Sequence, residues 1–89
     1  MQGEIALFIH LGGEKVISVK ELIAIFDISI EQTSKISKTF AAFYKKQNKV
    51  EKIGEEETKS LVVTTEQIYY SPISSATLKK RANQFITMP

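Results

Sequence analysis

Apolar residues in the first quarter of the chain come in short runs rich in β-branched side chains, with glycine between them. Ile5, Ala6, Leu7, Phe8, Ile9, His10 and Leu11 form a run of strand length, the type that fits a pleated surface. Gly12 and Gly13 break it and read as a tight turn into a second strand, because glycine tolerates positive φ. Val16, Ile17, Ser18 and Val19 begin that strand. Leu22, Ile23, Ala24, Ile25 and Phe26 read as its continuation, with a helical turn as the alternative.

Residues 27–31 are polar and read as a connection. From there to Asn48 the period changes from two to about 3.6. Ile36, Phe40 and Phe43 fall at i, i+4 and i+7, one face of a helix, with Gln47 closing the row. On the opposite side Lys35, Lys38, Lys45, Lys46 and Lys49 gather within an arc of roughly 100°. Burial of the phenylalanine face would leave this lysine stripe in water.

Val50 and Ile53 suggest a short strand. Gly54, Glu55, Glu56 and Glu57 form a turn with three like charges. Residues 59–65 and 68–70 are strong strand signals separated by Glu66 and Gln67, a predicted hairpin. Of Tyr69 and Tyr70, one should point inward and the other suits an interface. Pro72 ends that strand, since it lacks the amide hydrogen that a ladder requires. Ser74 or Ser75 is the expected cap of a last helix with Leu78, Ala82 and Phe85 on one face. The predicted order is β-β-α-β-β-β-α, an α+β fold in a single domain over residues 1–89, with no repeat or linker.

Composition changes this picture in one respect. With 89 residues, 43% apolar and 25% charged, the chain is ordinary in usage but small, so its stability margin is thin. It has no cysteine and one histidine, so neither disulfides nor a zinc site is expected to help. Self-association is the expected aid. The net charge of +2 is too mild to identify a nucleic-acid binder by itself, so what matters is where the charges cluster. Residues 1–11 carry Glu4 and no lysine or arginine, unlike a signal peptide, and no segment has the ~20 apolar residues of a membrane span. The cytoplasm is the expected address.

Catalytic chemistry is not expected. Nucleophilic catalysis needs an activated nucleophile beside an oriented base, and no nucleophile motif accompanies His10, which reads as structural at a strand end. No glycine-rich loop opens a helix to cradle phosphates, so no cofactor is expected. The three glutamates read as a solvated turn. Two basic features remain, the lysine stripe and the cluster Lys79, Lys80 and Arg81. Either could meet phosphates, and either could be the wet side of an amphipathic helix. A closed assembly would multiply such weak contacts through effective concentration.

Several segments together resemble the RemA/RemB extracellular-matrix regulators. They are the run from Phe8 to Gly13, the run from Ile17 to Asp27, then Lys59, Ser60, Leu61, Val62, Val63 and Thr64. The fullest is Ile68, Tyr69, Tyr70, Ser71, Pro72, Ile73, Ser74, Ser75, Ala76, Thr77, Leu78, Lys79, Lys80, Arg81 and Ala82. The resemblance covers about residues 8–82 and is nearest the RemB branch. It implies a bacterial regulator of biofilm-matrix gene expression whose subunit is similar to the LytTR DNA-binding domain. It further implies a ring that grips DNA through backbone phosphates. On that basis Lys20, Lys59, Lys79, Lys80 and Arg81 are the candidate nucleic-acid contacts. The sequence departs from the DNA-binding branch where Glu56 and Glu57 stand in place of paired arginines, and where Glu21 occupies another arginine position. Two readings follow: a DNA-binding regulator, or a ring-forming module whose partner is a protein.

Overall fold

The computed structural model describes residues 7–33 and 35–86. The first hairpin pairs β1 (Phe8–Gly12) with β2 (Lys15–Ser18) antiparallel. Gly12 adopts φ +120°, and a Cβ there would stand 3.0 Å from Cγ of Pro72, so the turn needs glycine for both conformation and space. Ile9, Leu11 and Ile17 point inward, while Phe8, His10 and Val16 face outward, the alternation expected of a half-covered ribbon.

The single long strand expected over residues 16–26 is in fact divided. A 3₁₀ turn, Val19–Glu21, separates β2 from β3 (Leu22–Asp27). The cause is local: the Ser18 hydroxyl accepts the Lys20 amide at 3.3 Å, which bends the chain out of extended geometry. β2 then stays with β1, and β3 enters a different sheet.

That sheet has four strands in the order β3-β5-β6-β4, with β4 (Val50–Lys52), β5 (Ser60–Thr64) and β6 (Ile68–Ser71). The predicted hairpin is β5–β6, antiparallel, and Thr64 closes its turn. The Thr64 hydroxyl donates to the Gln67 carbonyl at 2.7 Å and accepts the Gln67 amide at 2.9 Å. β4 runs parallel to β6 as an edge. Helical segments α1 (Ile30–Thr33) and α2 (Lys35–Lys46) lie between β3 and β4, and α3 (Ser75–Ile86) ends the described chain. Ser74 caps α3, its hydroxyl accepting the Thr77 amide at 3.2 Å. The order is therefore β-β-β-α-α-β-β-β-α.

Every residue of β5 is buried, because the sheet is covered on both faces. On one face Val62, Tyr69 and Ile25 pack with Ile9, Leu11 and Ile17 of the hairpin and Leu78 and Ala82 of α3. On the other, Leu61, Val63 and Ile68 pack with Phe26, Ile30 and Tyr44. A fully buried leucine such as Leu78 contributes roughly 1.5–3 kcal/mol of transfer free energy. The first hairpin is tied to the sheet at Ser71, which is fully buried. Its hydroxyl donates to the Leu11 carbonyl at 2.5 Å and accepts the Ile73 amide at 3.0 Å.

The phenylalanine face expected on the long helix does not hold at Phe43. That side chain is 60% exposed, and the residue turned to the sheet is Tyr44, about 100° further round the helix. The Tyr44 position is fixed by the end of α2, where Asn48 takes φ +57° and the Lys49 amide returns to the Tyr44 carbonyl at 2.9 Å. Ile5, Ala6 and the side chains of Ile36, Phe40 and Phe85 lie outside the described residues.

Candidate nucleic-acid interface

The sequence proposes five cations, and the fold separates them. Lys20 is exposed on the 3₁₀ turn, at the end of the sheet where the Thr65 amide donates to the Glu21 carbonyl at 2.9 Å. Lys59 is exposed at the opposite end. Its backbone holds two strands there: its amide donates to the Ser71 carbonyl at 2.8 Å and its carbonyl accepts the Ile28 amide at 3.1 Å. The length of β5 between the two ends is about 13 Å, from the strand rise.

Lys79 and Lys80 are exposed on α3. Lys79 is near enough to Asp27 to act on its charge. Asp27 is held below the usual carboxylate range, first by the hydrogen bonds it accepts from Ser29 and then, more weakly, by Lys79. Asp27 pairs with Ser60 across β3–β5, so Lys59 and Lys79 stand at the same end of the sheet. Lys20 does not join them.

Arg81 is turned elsewhere. It is half-buried, and its guanidinium donates to the His10 carbonyl at 2.8 Å, bracing α3 against β1. The His10 ring in turn lies 2.6 Å from the Gly13 carbonyl through Nε2, closing the first hairpin. No pattern in the sequence announces this chain of contacts, which joins residues 71 positions apart.

Glu55, Glu56 and Glu57 are exposed in the connection from β4 to Lys59. They therefore flank one of the two cations that the fold brings together. Lys45, Lys46 and Lys49 of the helix stripe are exposed, while the Lys35 and Lys38 side chains lie outside the described residues.

The tyrosine pair points to opposite faces of the sheet as the alternation predicts, but both faces are covered, so neither tyrosine is left for an interface. Tyr69 is buried, with the Lys15 ammonium 4.9 Å from its ring centre and 3.5 Å from Glu51. Tyr70 is not a free interface residue: its hydroxyl donates to Glu31 at 2.6 Å, tying α1 to β6. Burial, then this bond, pushes the Tyr70 hydroxyl well above the ordinary tyrosine range. Among the described residues no three His, Asp or Glu side chains converge as metal ligands, and no helix is long and apolar enough to cross a membrane.

Two comparisons with known proteins bear on the chain as a whole. The family described as "RemA-like: Extracellular matrix regulatory protein A-like" matches residues 8–82. Extracellular matrix regulatory protein B of Bacillus subtilis (strain 168) is 44% identical over 77 residues, covering 85% of this chain and 90% of that protein.

Proposed function

Because the chain belongs to the RemA-like family of extracellular matrix regulatory proteins, we propose that it acts in the cytoplasm as a ring-forming homo-oligomer that binds DNA and controls transcription of matrix genes. The contact is with phosphates, through Lys59 and Lys79 first. The observation that carries this reading is their shared position, exposed at one end of the sheet, in a chain 44% identical to a matrix regulator. Lys80 is exposed one residue further along α3, about 100° round the helix, and adds its charge to the field. Lys20 serves a second strip at the far end. Arg81 contributes charge but gives one guanidinium N–H to the His10 carbonyl.

A net charge of +2 gives one subunit little hold on a polyanion. Repetition round a closed assembly multiplies it, and each neutralised phosphate then adds to a steep salt dependence. Gel shifts of promoter DNA across a salt series test the reading. Retardation at about 0.05 M salt that fades steeply as salt rises is the expected result, and no retardation at that salt refutes it.

The exposed acidic turn favours a second reading, a ring whose partner is a protein. Three glutamates beside Lys59 oppose a phosphate backbone in every copy. Replacing Glu56 and Glu57 by arginine separates the two. DNA affinity rises if the turn faces nucleic acid and stays unchanged if it does not.

A further inference from the structure

β4 is an edge of the four-stranded sheet, and its outer side is open. The bonds that hold it to β6 begin at the Lys49 carbonyl, which accepts the Ile68 amide at 2.8 Å. They end at the Ile53 amide, which donates to the Tyr70 carbonyl at 2.9 Å. Backbone groups alternate sides along a strand, so those of Lys49, Glu51 and Ile53 face β6 and those of Val50 and Lys52 face away. Among the described residues nothing meets the outward amides and carbonyls of Val50 and Lys52. The outer side of β1 differs, because Arg81 covers the His10 carbonyl there.

An open groove of about 440 Å³ adjoins this edge. Glu51, Lys52, Ile53 and Gly54 line it from β4, and Gly13, Glu14 and Lys15 from the β1–β2 turn. Its charges balance, two carboxylates against two ammonium groups, and Lys15 is already engaged by Glu51 at 3.5 Å. Ile53 supplies apolar surface, and a Cβ on Gly54 would meet nothing within 4 Å, so there is room for an incoming side chain. On the other face of β4 the charge is not balanced. Val50 packs there in the cluster that holds Tyr44 of α2, and Lys52, two residues on, points to the same face. Lys46 at the end of α2 and Lys49 just before β4 are exposed like Lys52, with one carboxylate, Glu66, in the neighbouring turn.

We propose that β4 receives an extended acidic segment of another protein as an added strand of the sheet. Its carboxylates lie on the α2 side beside Lys46, Lys49 and Lys52, and its alternate side chains, small and apolar, lie over the groove. The site uses none of the residues assigned to phosphate contact, so it stands or falls apart from that reading. The backbone decides the class of partner. A phosphate backbone brings acceptors only, whereas a peptide strand completes both the outward amides and the outward carbonyls of Val50 and Lys52. Charge then decides the composition. Lysine on a short edge discourages strands that lack a counter-charge, so the residue that guards the edge also favours an acidic strand.

The test is fluorescence anisotropy of the full chain with a labelled octapeptide of alternating glutamate and valine. Wild type is expected to bind it, and no binding up to about 1 mM peptide overturns the proposal. A peptide with lysine in place of glutamate should bind roughly tenfold more weakly or worse, and equal binding overturns the role given to the lysines. Two N-methylated peptides, one methylated at every glutamate and one at every valine, test strand addition without altering the protein. The set of amides facing β4 is needed and the other is not, so one peptide should lose roughly tenfold or more in affinity; full affinity in both overturns strand addition. Lys52→Pro removes an outward amide and leaves the bonds to β6 in place, a substitution that an edge tolerates, so it should stay folded by circular dichroism and bind the peptide roughly tenfold more weakly. Light scattering and gel shifts of the same variant cover the other occupants. A fall in assembly mass assigns the edge to a second copy of this chain, a loss of DNA retardation assigns it to nucleic acid, and either result overturns the proposal.

Discussion

Replacing Arg81 by alanine separates a brace from a phosphate contact, because the two roles predict different losses. The guanidinium sits 2.8 Å from the His10 carbonyl and joins α3 to β1 across 71 positions of sequence. A hydrogen bond from a charged donor is worth about 1.5–3 kcal/mol when desolvated. Here the site is only half-buried, so about 1 kcal/mol is the fitting value, with some stem packing lost besides. In a domain of this size 1 kcal/mol moves the melting midpoint by about 4–8 °C. Arg81→Ala should therefore melt about 5 °C below wild type by circular dichroism. Arg81→Lys should lose much of the same stability, since an ammonium lacks the planar fork, yet it keeps the charge. In DNA titrations over a salt series, a bound phosphate contributes about 0.9 to the slope of log affinity against log salt. A brace leaves that slope nearly intact in both variants. If Arg81→Ala melts within about 1 °C of wild type while the slope falls by ~0.9 for each subunit in contact, the bracing account is refuted.

Ser71→Ala leaves a buried Leu11 carbonyl and the Ile73 amide without the hydroxyl between them, and should lower unfolding free energy by about 1–3 kcal/mol in urea titrations. Gly12→Ala meets Pro72 at 3.0 Å in a left-handed backbone and should be destabilised by about 1–3 kcal/mol, with the change in hydrogen exchange centred on the first hairpin. Tyr70→Phe removes the bond to Glu31 and should cost about 1 kcal/mol, with faster amide exchange at residues 30–33 and little change in β6. Asp27 has its carboxyl pKa lowered on folding, so its contribution is present above the unfolded value of about 3.8 and disappears as pH falls through the folded one. Wild type should thus lose more stability than Asp27→Ala on going from neutral to strongly acid solution, and equal losses in urea unfolding would contradict this.

The strands after residue 50 were legible because turn residues bracket them: Glu66 and Gln67 mark the β5–β6 turn, and Pro72 the end of β6. The cap at Ser74 was legible for the same local reason. The break between β2 and β3 was hidden, because β-branched residues continue on both sides and a single serine hydroxyl makes the bend. The exposure of Phe43 was hidden too. Periodicity groups Phe43 with Ile36 and Phe40, but the buried direction is set by which residue reaches the sheet, a tertiary matter decided at Tyr44. The cations were legible as residues and not as a site. Sequence order places Lys79, Lys80 and Arg81 side by side, yet on a helix consecutive side chains diverge by about 100°, and Arg81 turns to β1. Conversely Lys59 and Lys79 come to the same end of the sheet only through the β3–β5 register.

The interior strand divides the molecule into two rooms with one shared wall. Val62 and Val63 are consecutive, yet their methyl groups belong to different rooms, one facing the hairpin and α3, the other facing the helices before β4. Isotope-labelled methyls at these two positions would be independent reporters a single peptide bond apart. A change of volume on the hairpin side should disturb the first signal and leave the second nearly still, so each side of the domain is free to alter its packing without consulting the other.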